Sequence, residues 1–431
     1  MAEIADFLRD GSLSAGELTA RLDVSPATLM RRVRAASHEV VRIGASHATR
    51  YGLRRELQTI GASEVPIFRV NAEGQPAPVG RLVFLAGEES VWLPGGMVFD
   101  GLPPELADMR PTGFMGRSFT SRFPELPVPA RVDDWSDQHT IVALARRGED
   151  MPGNLIIGDE SLERWYANEI VAVTRDDYPA MAEAATAGDV RGSSAGGERP
   201  KFGAFVDGRH VLVKYVGQGG LVAERWRDLV AMEDIALTML RDAGNPASTA
   251  QLIDTPSHRF LEVERFDRVA ARGRLPAMTL AAVHPRATDT WAQAARQMAD
   301  ARTLSAEDAI FLQLFEAFGR LIANTDRHQY NIALLPELSG IGEAMTINAR
   351  RYTLAPAFDQ LPMLYAPTSD GQVPAREYTR PAPSADTWDV WEEATDLAIS
   401  FWERAAEDRR ITEAMRAVAR DNRHIIKTAV P

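Results

Sequence analysis

Residues Leu321 to Leu335 read LIANTDRHQYNIALL, and the meaning of this stretch decides how the rest of the chain is read. Its polar centre, Asn324 to Asn331, lies between apolar flanks and offers an acid, an amide and an imidazole. Asp326 and Asn331 stand five residues apart. An acid in such a loop can accept a proton from a hydroxyl, and an amide oxygen one short loop away can hold a hard cation such as magnesium. Asp359, in Ala355-Pro-Ala-Phe358-Asp359, ends an apolar strand-like run and is a second candidate metal ligand. His328 has no partner histidine at ligand spacing, so a polar contact to a bound nucleotide or a bracing hydrogen bond is expected of it rather than metal ligation.

The five-residue separation is that of the kinase loop H-R-D-x-x-x-x-N, and the residues upstream stand in the order that such chemistry requires. Val211-Leu-Val213-Lys214-Tyr215 reads as a strand carrying a lysine among apolar neighbours. A lysine there is costly to bury unpaired, so it needs an anion. The long amphipathic stretch Leu221 to Asp242 supplies Glu233 as its expected partner, with Glu224 the poorer candidate. Arg259 to Arg268 then reads as a strand passing into a connector, the place of the hinge in a two-lobed kinase, where backbone groups would meet the adenine edge of a nucleotide. A helix from Ala306 to Ala323, capped by Ser305, places Ile310, Leu314, Phe318 and Leu321 on one face and delivers the chain to Asn324.

Ahead of the lysine strand, Ser193-Ser-Ala195-Gly196-Gly197-Glu-Arg-Pro200-Lys201 can wrap backbone N–H groups around phosphate oxygens before the strand Phe202 to Val206. The same residues contain a formal G-x-S-x-G centred on Ser194. A nucleophile elbow follows a buried strand and starts a helix; here polar residues precede and a strand follows, so a hydrolase is not expected.

Bulk properties narrow the classes. The 431 residues are 45% hydrophobic and 25% charged, an ordinary globular composition, and contain no cysteine, which excludes disulfides, thiolate metal sites and thiol catalysis. MAEIADFLRD carries acids where a signal peptide needs a basic start, and no later run approaches a membrane span, so a cytoplasmic location is expected. The formal charge is -12, yet Arg21 to Arg55 holds eight arginines against Asp23 and Glu39.

That basic region has its own helical grammar. Ser14-Ala-Gly-Glu17 is a capping box, Asp23-Val-Ser25-Pro26 breaks the helix and restarts it, and a second helix from Ala27 to Ala36 should turn Leu29 and Val33 inward. Two short helices around a tight turn describe a helix-turn-helix whose second helix would present Thr28, Arg31, Arg32 and Arg34 to DNA. Val40 to Ile43 and Thr49 to Leu53 look like the strands of a wing.

Between the basic module and the lysine strand, Pro66 to Val70 and Gly80 to Leu85 read as a β-hairpin around the polar turn Asn71 to Pro78. A strand at Ser90 to Leu93, helical stretches near Leu106 and Phe114, a helix from Ser136 to Arg147 and a turn feeding a strand at Gly148 to Gly158 complete a structural subdomain. Ala182 to Gly197 lacks periodicity and reads as a linker. From Thr387 to Ala429 the text is helical, with Trp388, Trp391, Leu397, Phe401 and Trp402 as a core-facing stripe.

The chain resembles the HipA family of bacterial serine/threonine kinases, the toxins of toxin–antitoxin modules, from about Pro66 to its end. The matching pieces are Gly148 to Gly153, Ser193 to Lys201, Val213-Lys214, Val263 to Arg268, Asn324 to Asn331 and Phe358 to Met363. With a winged helix in front it looks most like the YjjJ-like branch. The resemblance implies an α+β chain in four parts: a winged helix-turn-helix over residues 1–58, a β-rich HipA N-terminal subdomain over 62–165, a small kinase lobe over 190–267 and a helical large lobe over 268–431. It implies an ATP- and magnesium-dependent protein kinase with Asp326 as base and Asn331 and Asp359 on the metal. Nucleotide contacts fall to Ala195, Gly196, Gly197, Lys201, Lys214, Glu264, Phe266, His328 and Phe358. It further implies a target in translation, such as an aminoacyl-tRNA synthetase, an autophosphorylated loop serine matching Ser193, with adjacent Ser194 the alternative, an antitoxin partner and a homodimer that represses its own promoter. Pro200 departs from the family's usual loop form. Two other functions fit the same residues: a DNA-binding regulator with a silent, nucleotide-sensing kinase fold, and a small-molecule phosphotransferase.

Overall fold

The computed structural model describes residues 4–45, 49–187, 199–337 and 351–428. At the N-terminus the local signals act as written. The Glu17 amide donates to the Ser14 hydroxyl at 3.2 Å while the Ser14 amide donates to the Glu17 carboxylate at 2.7 Å, which starts the helix Ala15–Leu22. Ser25 caps the helix Pro26–Ala35 by accepting from the Thr28 amide at 3.3 Å. Strands Val40–Ile43 and Arg50–Leu53 pair antiparallel, and Leu13–Ser14 adds a third, short strand beside the latter. Leu18, Leu29, Val33, Val40 and Tyr51 form this module's core.

The hairpin read as a wing is not a free one. Its alternate face, Val41 and Ile43, is buried against Val83, Leu85 and Val91 of the next sheet. Gly52 makes this approach possible, because a Cβ there would stand 2.8 Å from a Leu85 methyl. Backbone bonds from Arg55 to Phe84 at 2.9 Å and from Ala86 to Leu53 at 2.8 Å fasten the joint.

That next sheet has five antiparallel strands in the order Met97–Asp100, Glu89–Leu93, Pro76–Phe84, Glu64–Val70, Leu155–Ile157. The turn expected over Asn71 to Pro78 is tighter, closing between Asn71 and Gln75, and Pro76 and Pro78 already belong to the strand. They are tolerated because, of the strand Pro76–Phe84, Glu89–Leu93 pairs only with Arg81 to Phe84, which leaves the proline end paired on one side. The helix Asp137–Arg147 covers the sheet through Ile141 and Leu144. A helix at Asp159–Ala167, unforeseen from the sequence, follows the last strand. The linker expected from Ala182 begins inside another helix, Tyr178–Ala187, whose Tyr178 and Ala182 pack beneath the third domain's sheet.

That sheet is antiparallel, ordered Ala250–Asp254, His258–Glu264, Arg209–Gly217, Lys201–Val206, with the helix Gly220–Asp242 packed against it. Beyond it lie helices Trp291–Asp300, Ala306–Leu321, Trp391–Glu407 and Glu413–Thr428 around Trp291, Phe315, Phe318, Phe401 and Trp402. A small sheet of Met278–Thr279, Ala333–Pro336 and Tyr352–Leu354 leans on them. Two expected core residues face solvent instead. Ile310 is 51% exposed because Ala309, Leu312, Phe315 and Phe318 carry the buried face of its helix. Trp388 is 68% exposed because it sits in a 3₁₀ turn ahead of the stripe that Trp391, Ala394, Ala398, Phe401 and Trp402 form.

Glu105 is buried between the middle domain and this small sheet, with Oε2 lacking a partner. Burial, reinforced by nearby Asp108, raises its carboxyl from 4.5 to about 7. Through that window the folded chain holds a proton that the unfolded chain has released, so stability falls as pH rises, by up to about 3 kcal/mol. Glu105→Gln should therefore raise Tm at pH 8 and leave it nearly unchanged at pH 4, as read by calorimetry.

Candidate active site

Lys214 lies on the central strand, its neighbours Val213 and Tyr215 facing a separate aromatic cluster with Phe202 and Phe260. Alternation turns its own side chain to the opposite face, toward the helix Gly220–Asp242. It is 6% exposed, and Nζ donates to both oxygens of fully buried Glu233 at 2.6 and 2.8 Å. Nζ also donates to the Asp359 carboxylate. Glu224, the other candidate partner, is exposed. Burial alone would depress the Lys214 ammonium, but the Asp359 and Glu233 carboxylates outweigh it and hold the group above its ordinary value. Burial likewise acts to raise Asp359, and Lys214 and Lys201 overcome it, so this carboxylate stays below its usual range.

Asp359 is held in the left-handed region at φ 54°, with its carbonyl accepting from the Asn324 side chain at 3.3 Å. The same Asn324, fully buried, accepts the Asp326 amide at 3.0 Å through Oδ1. One amide thus joins the turn that presents Asp359 to the loop that presents Asp326. Asn331 closes that loop by donating Nδ2 to the Asp326 carbonyl at 2.9 Å, which leaves its amide oxygen as the atom able to meet a cation.

Further bonds hold the loop from behind. Arg327 turns back onto Glu316 at 3.2 Å, passing over Gly319, where a Cβ would stand 2.8 Å from its Cδ. Trp291 donates its indole N–H to the His328 carbonyl at 3.0 Å, and Gln329 donates to the carbonyls of Arg286 and Asp289. With the backbone so fixed, the side chains of Asp326 and His328 are each 50% exposed, with His328 Nε2 3.5 Å from Asp326 Oδ1.

Phe266 and Phe358 meet as near-parallel rings, 6.0 Å between centroids and 26° between planes, so the connector after His258–Glu264 touches the residue before Asp359. The Glu264 carboxylate accepts from Arg209 at 3.1 Å. The structure therefore brings together Lys214, Asp359, Asp326, His328 and Asn331 through shared contacts, and brings Phe266 onto Phe358. Lys201 lies close enough to act on both Glu233 and Asp359 electrostatically. Ser193, Ser194, Ala195, Gly196 and Gly197 lie outside the described residues. Sequence reasoning missed Asn324, Arg327 and Glu316 as braces; the one available signal was polar residues inside an otherwise apolar helix and its exit.

Comparison with known proteins places this geometry. A model of the HipA-like C-terminal domain matches residues 193–425, and a model of the YjjJ-like toxin middle domain matches residues 61–166. A chain of the Shewanella oneidensis MR-1 complex of toxin HipA, HipB and operator DNA shares the fold at a TM-score of 0.51, with 12% identity, covering 83% of this chain and 95% of that one. The architecture is thus that of a HipA-like protein. Toxin YjjJ of Escherichia coli strain K12 is 33% identical over 440 residues, spanning 98% of this chain and 96% of that protein. The chain belongs to the family of HipA-like toxins, on its YjjJ-like branch. Among the described residues no helix is long and apolar enough to cross a membrane.

Removing one member of a buried ion pair leaves an uncompensated charge and costs about 3–5 kcal/mol. Because Lys214 keeps Asp359, Glu233→Gln should sit at the lower end, about 3 kcal/mol in denaturant unfolding, whereas exposed Glu224→Gln should change stability by less than about 0.5 kcal/mol.

Proposed function

We propose that this chain is an ATP- and magnesium-dependent serine/threonine protein kinase, a toxin acting on a protein of translation such as an aminoacyl-tRNA synthetase, with a DNA-binding head. The observation that carries the proposal is the buried Lys214–Glu233 pair reaching Asp359, whose turn is tied through Asn324 to the Asp326 loop.

Each residue then has a role. Asp326, half-exposed on a braced loop, accepts the proton of the acceptor hydroxyl as its oxygen bonds to the γ-phosphorus and the bond to ADP breaks. Lys214, kept charged by its carboxylates, offsets charge on the phosphates, and Lys201 and the sequence Ser193 to Gly197 are the remaining groups suited by composition to bind them. Phe266 and Phe358 offer apolar surface to a base, and Glu264 and His328 polar contacts. Asp359 and Asn331 supply hard oxygen ligands suited to magnesium. Among the described residues no three His, Cys, Asp or Glu side chains gather as a metal site, so these two would hold a cation that brings phosphate and water ligands of its own. Such an ion neutralises charge developing on the transferred group.

The N-terminal helices and hairpin support a winged helix-turn-helix. Arg31 and Arg34 are exposed on the helix Pro26–Ala35, while Thr28 and Arg32 are half-buried. A homodimer repressing its own promoter, with an antitoxin partner, fits a fold whose Shewanella relative was solved with HipB and operator DNA. A second reading, a silent nucleotide sensor that regulates transcription, draws on the direct Lys214–Asp359 contact, which occupies a metal ligand.

Incubation with ATP and magnesium should yield ADP and phosphoserine at Ser193 by mass spectrometry, and Asp326→Asn or Asp359→Asn should each slow this at least about a hundredfold. ATP binding without turnover in the wild type would overturn the kinase and support the sensor. On a duplex from its own promoter, Arg31→Ala and Arg34→Ala should each reduce the slope of log affinity against log salt by about one; unchanged slopes would remove the DNA contact.

A further inference from the structure

The chain leaves the sheet at Glu264 and reaches the helical lobe through residues 265–280, and the middle domain grips that passage from end to end. At the near end, Asp267 is 6% exposed and accepts from the Gly153 amide at 3.0 Å. Arg265 binds the same carboxylate with a fork at 3.0 and 2.9 Å. Arg268 answers in the other direction, donating to the Gly153 carbonyl at 3.1 Å, the Met151 carbonyl at 2.8 Å and the Asp150 carboxylate at 3.0 Å. Both backbone groups of Gly153 are therefore committed to consecutive residues of the passage.

In its middle, Arg272 donates to the Trp165 and Asn168 carbonyls at 3.0 and 2.7 Å, and the Arg274 amide donates to the Asn71 carbonyl at 3.0 Å. At the far end, Asp108 takes the Thr279 amide at 2.7 Å and the Thr279 hydroxyl at 2.5 Å. Thr279 pairs with Ala333, and the Leu280 amide donates to the Ile332 carbonyl at 2.9 Å, one residue beyond Asn331.

Domains of one chain move against each other by default unless their interface is large or specific. Here the interface spends desolvated charge on geometry: one carboxylate and two carbonyls of the middle domain, shared between both terminal nitrogens, fix Arg268 in one orientation, and burying such groups confers little net stability. One end of the grip adjoins Phe266; the other adjoins the strand that continues the Asp326–Asn331 loop. We propose that the middle domain is a positioning element of the site, with Asp267 and Arg268 setting the Phe266 connector and Asp108, through Thr279, setting the catalytic loop. The proposal rests on the reading of that site as an ATP-using active site.

The two ends predict different defects in the full-length protein. Arg268→Lys keeps the charge but has one nitrogen where Arg268 uses two to reach Gly153, Met151 and Asp150, so the ATP Kd should rise about tenfold or more with kcat changed less. Asp108→Ala should lower kcat about tenfold or more with the ATP Kd kept, since small misplacements at the chemistry are costly in rate. A purely structural role would lower Tm and leave both constants of the folded protein alone; constants within twofold of wild type overturn the proposal. Should Arg268→Lys not fold, Asp150→Ala removes one acceptor from the exposed rim of the same cluster and is read in the same way. If wild type neither binds nor consumes ATP, the active-site reading fails separately. Hydrogen exchange then decides: the Glu264 to Phe266 amides in Arg268→Lys, and the Asp326 to Asn331 amides in Asp108→Ala, should exchange about tenfold faster, and unchanged rates overturn the grip.

Discussion

An ammonium group withdrawn from water has to be paired, and the pairing of Lys214 fixes the relation of three parts of this fold. Its strand belongs to a sheet, Glu233 to the long helix against that sheet, and Asp359 to a turn at the edge of the helical lobe. In a low-dielectric setting none of the three can drift without exposing a bare charge. Asn324 extends the constraint by bonding both Asp359 and Asp326, so a demand created by one lysine propagates to a loop more than a hundred residues away. The polar groups of the site are ordered by the need to satisfy one another.

The same reasoning explains why much of this site was legible in the sequence. A lysine among valines announces a need for an anion, and a long amphipathic helix immediately after it narrows the choice; Glu233 over Glu224 follows from which side of that helix is buried. Asp326, Asn331 and Asp359 stood out as polar residues framed by apolar text. Helix starts at Ser14, Ser25 and Ser305 were readable because capping is local chemistry.

What was not legible depended on neighbours distant in sequence. Ile310 and Trp388 are apolar at positions compatible with a buried stripe, and only the packed lobe shows that other residues of their segments take that face. The helix Tyr178–Ala187 is rich in alanine and weakly patterned, and it is held because Tyr178 and Ala182 find a sheet to lie under. Gly153 and Asp267 are separated by 114 residues, and no periodicity links them. Arg327 read as one more charge in a polar loop, although Gly319 leaves the space that lets it reach Glu316.

The seam at Gly52 has a bearing on how such a chain can change over time. A module tethered by a slack linker can be lost, exchanged or lengthened with little effect on the body that carries it. Here the first module shares backbone bonds with the second at Leu53 and Arg55, and a missing side chain at residue 52 admits Leu85 into the joint. A larger side chain at residue 52 would therefore need a smaller one at residue 85, and an insertion between Leu53 and Arg55 would break bonded backbone instead of entering free solvent. Head and body meet as one packed surface, and a foreign head of the same fold would have to reproduce that seam to sit on it.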